Sequence, residues 1–341
     1  MKKYNVAVVG ATGAVGTEML KVLEEYDLPI DNLKVIASPR SKGKELTYKG
    51  EKYTVETIEK GTFEDVDIAL FSIGSSNSNK FVPQAVYEGA LVIDNSNAFR
   101  MDDDVPLVVP EINPEAIKEH NGIIANPNCS TIQLVMALNP IRKAHVINKI
   151  IVSTYQAVSG TGQKAVEELK QQSRDHLEDK EVKTEVYSHQ IAFNAIPLID
   201  KVNDNGYTEE ELKLNRETRK IFNNKGIEVT ATAVRIPVYY GHSESVHVEF
   251  DIPVDLEEIT YLLDNDENIK LMDDPSNDIY PTPLMSEDDD KILVGRLRRD
   301  LHNEKSLEMW VVGNNIRKGA ALNAVQIADY VIKNNIIDGG E

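Results

Sequence analysis

The chain has 341 residues, 41% hydrophobic and 27% charged, an ordinary globular composition with length for two cores. Its 37 lysines and arginines against 56 aspartates and glutamates leave a net charge of −19, which repels nucleic acid and anionic lipid. One cysteine excludes an internal disulfide and a cysteine-rich metal site, and no run approaches the roughly 18 apolar residues of a membrane span.

The first residues run directly into a strand at 4–9, without the pattern of a cleavable signal peptide, so a cytoplasmic protein is expected. Gly10-Ala-Thr-Gly13-Ala-Val-Gly16 follows, and residues 17–26 carry helical spacing through Met19, Leu20, Val22 and Leu23. Apolar runs at 33–37, 68–72, 91–94, 107–109 and 122–125 alternate with helical segments, the pattern of βαβ units and a mostly parallel sheet. After about residue 147 the pattern changes. Residues 150–155 and 228–237 alternate as strands, and 245–252 answers the second of these across a turn, predicting a hairpin and an α+β domain. Thr208 with Glu211 three residues on fits a capping box opening a helix. Residues 262–290 read as a long surface excursion, with Glu287 to Asp290 as a solvated acidic face rather than a metal site. An amphipathic helix over 319–334 closes the chain and packs back on the first domain. The expected organisation is a Rossmann-type α/β domain, residues 1–130 plus 318–341, and an α+β catalytic and dimerisation domain, residues 131–317, with a mostly antiparallel sheet.

A glycine-rich turn between a strand and a helix lets backbone N–H groups approach a pyrophosphate at the helix N-terminus. Gly10 and Gly13, with Thr12, Ala14 and Val15 between and beyond them, are the expected contacts. The end of the second strand carries no carboxylate for a ribose hydroxyl. Instead Ser38, Arg40 and Ser41 suit a 2′-phosphate, which points to NADP.

Asn126-Pro-Asn128-Cys129-Ser-Thr follows the strand at 122–125 and leads into a helix. Cys129 therefore sits at a helix N-terminus, where dipole and free N–H groups favour thiolate. Those groups, with Asn128, also suit a developing oxyanion. Polar neighbours argue against a merely buried thiol. His242, in the turn Tyr240-Gly-His242-Ser-Glu244, is the best-placed proton acceptor, and a loop histidine taken alone is more often just solvated. Arg235, on a strand of small apolar residues, needs an anion if buried. Glu210 and Lys213 share one helix face, which by itself reads as a surface ion pair.

Six motifs in order resemble the aspartate-β-semialdehyde dehydrogenase family: the glycine loop, Asp94-Asn-Ser-Asn-Ala-Phe-Arg100, Asn126-Pro-Asn-Cys-Ser-Thr-Ile132, Tyr155-Gln-Ala-Val-Ser-Gly160, Val234-Arg-Ile-Pro-Val238 with Gly241-His-Ser-Glu244, and Arg317-Lys-Gly-Ala-Ala-Leu-Asn-Ala-Val-Gln-Ile327. They span residues 10–327. The resemblance implies reversible conversion of aspartate semialdehyde, phosphate and NADP⁺ into aspartyl phosphate and NADPH, in lysine (through diaminopimelate), threonine, methionine and isoleucine biosynthesis. It implies Cys129 as nucleophile, Gln156 orienting the intermediate, and His242 as acid/base taking the thiol proton. It further implies Arg235 on the substrate carboxylate, Glu210 on its amino group, Arg100 and Lys213 on phosphate, and Ser159, Gly160 and Asn315 on the cofactor. A homodimer or homotetramer is implied, with no metal, nucleic acid or membrane partner. Pro39, Lys42 and Asn314 depart from the family's usual residues. A related reductase acting on N-acetyl-γ-glutamyl phosphate has no use for Glu210, and a catalytically dead NADP sensor has none for Cys129 and His242.

Overall fold

The computed structural model describes residues 2–287 and 289–338, which form two compact units, Met1–Asn128 with Ala320–Glu341 and Cys129–Gly319. In chain order the first unit holds β1 (Tyr4–Val9), α1 (Ala14–Tyr26), β2 (Ile30–Ile36), β3 (Glu45–Tyr48), β4 (Glu51–Thr54), β5 (Ile68–Phe71), α2 (Ser75–Tyr87), β6 (Leu91–Asp94) and β7 (Ile123–Ala125). The second holds α3 (Cys129–Ala144), β8 (Ile147–Gln156), α4 (Gln163–Leu177), α5 (Glu209–Ile221), β9 (Glu228–Arg235), β10 (His242–Phe250), α6 (Leu256–Asp264), β11 (Ile269–Leu271), β12 (Ile292–Arg299) and β13 (Ser306–Gly313). The chain then returns to the first unit with α7 (Leu322–Lys333).

In the first unit β2-β1-β5-β6-β7 form one parallel sheet, and β3-β4 a separate hairpin. Strand side chains alternate between faces, and both faces of β1 are covered. Val6 and Val8 pack with Met19, Leu23, Val325 and Ile327 of α1 and α7, while Ala7 and Val9 pack with Val82 and Ala85 of α2. Each larger side chain so buried contributes about 1.5–3 kcal/mol. Burial on both faces explains why these strands read as continuous apolar runs.

The second unit is built on a six-stranded sheet, β11-β12-β13-β10-β8-β9, antiparallel from β12 to β8 and parallel at its two edge pairs. Along β10, His242, Glu244, Val246, Val248 and Phe250 are buried and Ser245, His247 and Glu249 half-exposed. Helix α3 is buried from Ser130 to Ile141, as a helix apolar on most sides must be. Thr208 caps α5 through both halves of the capping box read from the sequence.

Several expectations are corrected. The segments 228–237 and 245–252 do not form a hairpin: β8 lies between them, paired parallel to β9 and antiparallel to β10. The link between β9 and β10 instead crosses the end of β8, where Val158 and Ser159 donate to the carbonyls of Val238 and Tyr239. Residues 107–109 form only an isolated bridge, Leu107 to Ala125. The supposed excursion at 262–290 contributes β11 to the sheet edge. Its acidic run is paired rather than only solvated: Asp289 takes Lys270 at 2.9 Å and Asp290 takes Arg317 at 2.6 and 2.9 Å, while Asp288 lies outside the described residues. The closing helix begins as a π turn at Arg317–Ala321 before α7.

Candidate active site

The glycine loop of the first unit owes its shape to two close approaches. Gly10 has φ +95°, and a Cβ there would stand 2.3 Å from the Ser72 carbonyl oxygen. A Cβ on Gly16 would stand 2.1 Å from the Gly10 carbonyl oxygen. Gly13 caps α1 without a side chain, so the first N–H groups of the helix are left to an incoming acceptor. Thr12 Oγ1 meets Ser41 Oγ at 3.3 Å, tying the loop to the turn Pro39–Ser41 after β2. Arg40 and Ser38 stand exposed on that turn, and Lys42 is turned away onto Glu59 at 3.1 Å.

Arg100, also in the first unit, is buried. Its Nε donates to the Asn126 carbonyl at 2.8 Å and Nη2 to the Asn95 carbonyl at 3.0 Å. Asn126 accepts from Asn323 Nδ2 at 2.6 Å, fixing the segment that leads to the buried Asn128.

In the second unit Cys129 is the first residue of α3 and half-buried. Gly319 packs against it: a Cβ there would lie 2.9 Å from the Cys129 Cβ. The turn before Gly319 reaches the other site strands. Gly319 N–H donates to the Asn314 carbonyl, Asn315 Oδ1 accepts from Gly241 N–H at 2.9 Å, and Asn315 Nδ2 donates to Ser159 Oγ at 3.0 Å.

Gln156 and Arg235 face each other as register partners at the ends of β8 and β9. Both are buried, as is Glu210 in the first turn of α5. Gln156 Nε2 donates to Glu210 Oε1 at 3.0 Å and to Thr154 Oγ1 at 3.3 Å. The other Glu210 oxygen takes Lys213 Nζ at 3.0 Å, and Lys213 also reaches Asp200 at 2.9 Å. Burial works against the charge on Lys213, but Glu210 and Asp200 outweigh it and hold its pKa above the ordinary value. The pair expected as a surface ion pair is thus part of a buried network.

Arg235 Nη1 donates to the Ala157 carbonyl at 2.6 Å, and its buried Nε has no partner. His242 is not a loop residue. It opens β10, fully buried, and its Nδ1 accepts the Ala157 N–H at 3.0 Å. Burial, then the nearby Arg235 charge, push its pKa down to about 3, against smaller upward pulls from Glu210 and the Gly241 carbonyl. His242 is therefore neutral near pH 7. With Nδ1 accepting, the ring proton sits on Nε2, which is buried without a partner. A Cβ on Gly160 would stand 3.0 Å from Arg235 Nη1 and 3.3 Å from His242 Nε2, so both point at space a larger residue would fill.

The second unit thus brings together Gln156, Ser159, Gly160, Glu210, Lys213, Arg235, His242 and Asn315. A buried guanidinium and a buried carboxylate on one wall suit a carboxylate and an ammonium in one ligand. An N–H donor faces the same place. Sequence reading assigned no role to Asp200, Thr154, Gly319 and Glu244; of these, Gly319 and Glu244 lie inside quoted motifs and so left a signal. The one three-residue set among the described residues with metal-ligand geometry, His247 with Asp300 and Glu308, lies on the opposite, half-exposed side of β10, and His247 Nδ1 already meets Glu308 at 2.6 Å.

Comparison with known proteins places this geometry. Residues 5–120 match the semialdehyde dehydrogenase NAD binding domain, and residues 138–318 the semialdehyde dehydrogenase dimerisation domain. The chain is 53% identical over 338 residues to the aspartate-semialdehyde dehydrogenase of Aquifex aeolicus, covering 98% of this chain and 99% of that protein. It is 51% identical over 341 residues to that of Bacillus subtilis, with 98% and 99% coverage. The crystal structure of aspartate semialdehyde dehydrogenase II complexed with ASA from Vibrio cholerae superposes with a TM-score of 0.95 at 47% identity, over 98% of this chain and 99% of that one.

Proposed function

Because the chain belongs to the aspartate-semialdehyde dehydrogenase family of nicotinamide-dependent oxidoreductases, we propose that it oxidises L-aspartate 4-semialdehyde, with phosphate and NADP⁺, to L-4-aspartyl phosphate through a Cys129 thioester. The observation that carries this reading is the pairing of buried Arg235, its Nε unpartnered, with buried Glu210 across Gln156. Arg235 takes the α-carboxylate and Glu210 the α-ammonium group of the substrate.

The glycine loop and the uncapped N-terminus of α1 fit a pyrophosphate, and Arg40 with Ser38 and Ser41 fits a 2′-phosphate rather than a free ribose. Thr12, Ala14 and Val15 line the loop, and Ser159, Gly160 and Asn315 take the nicotinamide end. Bound NADP⁺ supplies the hydride acceptor.

The chain's own residues do the rest. The N-terminus of α3 favours thiolate at Cys129, which adds to the aldehyde carbonyl. Neutral His242 already carries hydrogen on Nε2, so it donates to the developing oxyanion rather than taking the thiol proton, a revision of the role the sequence implied. Asn128 assists at the same oxygen. Gln156 holds the intermediate in line. Arg100 and Lys213 bind the phosphate that attacks the thioester and releases aspartyl phosphate. In the cytoplasm the reaction runs in the reducing direction, towards lysine (through diaminopimelate), threonine, methionine and isoleucine. The half-exposed face of β10, with Ile151 of β8 and the exposed Leu284 and Met285, supports a homodimer through the second unit.

The test is absorbance at 340 nm with L-aspartate semialdehyde, with and without phosphate, and with NADP⁺ against NAD⁺. Phosphate-dependent NADPH formation supports the reading. Turnover of N-acetyl-glutamate semialdehyde instead, or none with either aldehyde, overturns it.

A further inference from the structure

Glu244 lies two residues beyond His242 on the same face of β10, fully buried, and neither carboxyl oxygen has a hydrogen-bond partner. Its register partners are Thr154 on β8 and Val311 on β13. From α3 comes Gln133, also buried, whose Nε2 likewise has no partner.

Two lines of the site converge here. Gln133 is four residues after Cys129, on the same side of α3. It packs where Gly313 leaves room: a Cβ on Gly313 would stand 2.9 Å from Gln133 Oε1, and Gly313 is the register partner of His242. On the other side, Thr154 accepts the hydrogen bond that fixes Gln156. Glu244 therefore stands between the helix that carries the nucleophile and the strand that carries Gln156.

A carboxylate at this depth needs a cation or several donors. Thr154 and Val311 bring no charge. The titratable groups on the elements around it include His242, Arg235, Glu210, Cys129 on α3 and the buried Lys318 beside Gly319; His242 is neutral and Arg235 already donates to the Ala157 carbonyl. Burial pushes the Glu244 carboxyl well above the usual range, and the Gln133 amide offsets only part of that.

We propose that Glu244 is a positioning residue that works as a neutral carboxylic acid, packed with the Gln133 amide between α3 and the sheet so as to hold the start of α3, and with it Cys129, in place on the sheet. The proposal rests on Cys129 being the nucleophile. A neutral acid at this place leaves no negative charge beneath a thiolate, and its packing against Gln133 keeps α3 seated on the sheet.

The experiment compares full-length wild type with Glu244→Gln and Glu244→Met. It reads kcat and KM in the phosphate-dependent assay, the pH profile of Cys129 alkylation by iodoacetamide, and thermal midpoints from pH 5 to 9. Glu244→Gln keeps the neutral pairing, so its kcat stays within about threefold. Its midpoint rises relative to wild type as pH increases, because only wild type carries a carboxyl that ionises more readily unfolded than folded. Glu244→Met loses kcat about tenfold or more with KM little changed, and shifts the alkylation profile. A Glu244→Gln midpoint difference that is flat or falls with pH overturns the neutral acid, as does a loss of kcat beyond about tenfold in that variant. Wild-type kcat and alkylation in Glu244→Met overturn the positioning role. Should Glu244→Met fail to fold, the Glu244→Gln outcomes decide alone. Wild-type turnover that survives complete alkylation of Cys129 sinks the nucleophile reading instead, whatever the two variants do.

Discussion

The backbone N–H of Ala157 donates to Nδ1 of His242 at 3.0 Å, and this bond favours the ring tautomer with the proton on Nε2. The same residue's carbonyl takes Arg235 Nη1 at 2.6 Å. One peptide unit at the end of β8 thereby orients two of the side chains assigned to the substrate.

His242 as an Nε2–H donor has a specific signature. Gln in its place offers an amide donor but cannot serve as a base, so His242→Gln should retain activity that His242→Ala loses by about 10²–10³ in kcat. The alkylation pH profile of Cys129 should be the same in wild type and His242→Gln. Equal collapse of both variants would restore the base role.

The buried neutral ring also sets an acid limit. Its folded pKa of about 3 lies below the usual histidine value, so the unfolded chain takes up the proton first as pH falls. Stability from this group is complete above about pH 6.5 and is lost progressively towards pH 3. Denaturant midpoints across that range should fall less steeply in His242→Gln than in wild type.

Cys129→Ser should abolish phosphate-dependent NADPH formation while leaving NADP binding within about twofold, since the glycine loop and the Arg40 turn belong to the other unit. Fluorescence titration with NADPH reads the second half. Retained turnover would be fatal to the thioester.

Arg235→Lys keeps charge but not the planar fork. It should lower kcat/KM for aspartate semialdehyde by about 10²-fold, mostly through KM, measured in the same assay. A loss under threefold would mean that another group holds the carboxylate.

Gly319→Ala places a methyl 2.9 Å from the Cys129 Cβ and 3.2 Å from the Asn314 carbonyl oxygen. One of these must move, and a shift of the nucleophile of about 1 Å can cost roughly 10²-fold in rate. The variant should fold, bind NADPH and turn over poorly. Normal kcat would show that the 314–319 turn absorbs the change.

What the sequence made legible was local. The strand, glycine turn and helix at the N-terminus, Cys129 at the start of α3, and the Thr208 capping box all depend on spacings of a few residues. Pairing across the chain was not legible. Residues 228–237 and 245–252 look like neighbours because the link between them is short, yet a strand from eighty residues earlier lies between them. The same error misplaces His242, named as a candidate but read as a loop residue because the hairpin turn is expected. Glu244, though inside a quoted motif, drew no role for a related reason: between Ser243 and Ser245 it looks like a solvated strand position, and only packing of the sheet face turns it into a buried acid. The partners of Lys213 show the limit from the other side, since Glu210 follows from helix periodicity and Asp200 from no periodicity at all.

The first unit takes its last helix from the far end of the chain, so Val325, Ile327 and Val331 share a core with Val6 and Val8. During synthesis the sheet of that unit stays open on one side until α7 has emerged from the ribosome. The second unit, continuous from Cys129 to Gly319, has all its strands some twenty residues earlier. Birth order thus inverts chain order: the part begun first is finished last. A chain truncated after about residue 320 would hold a complete second unit tethered to an unfinished first one.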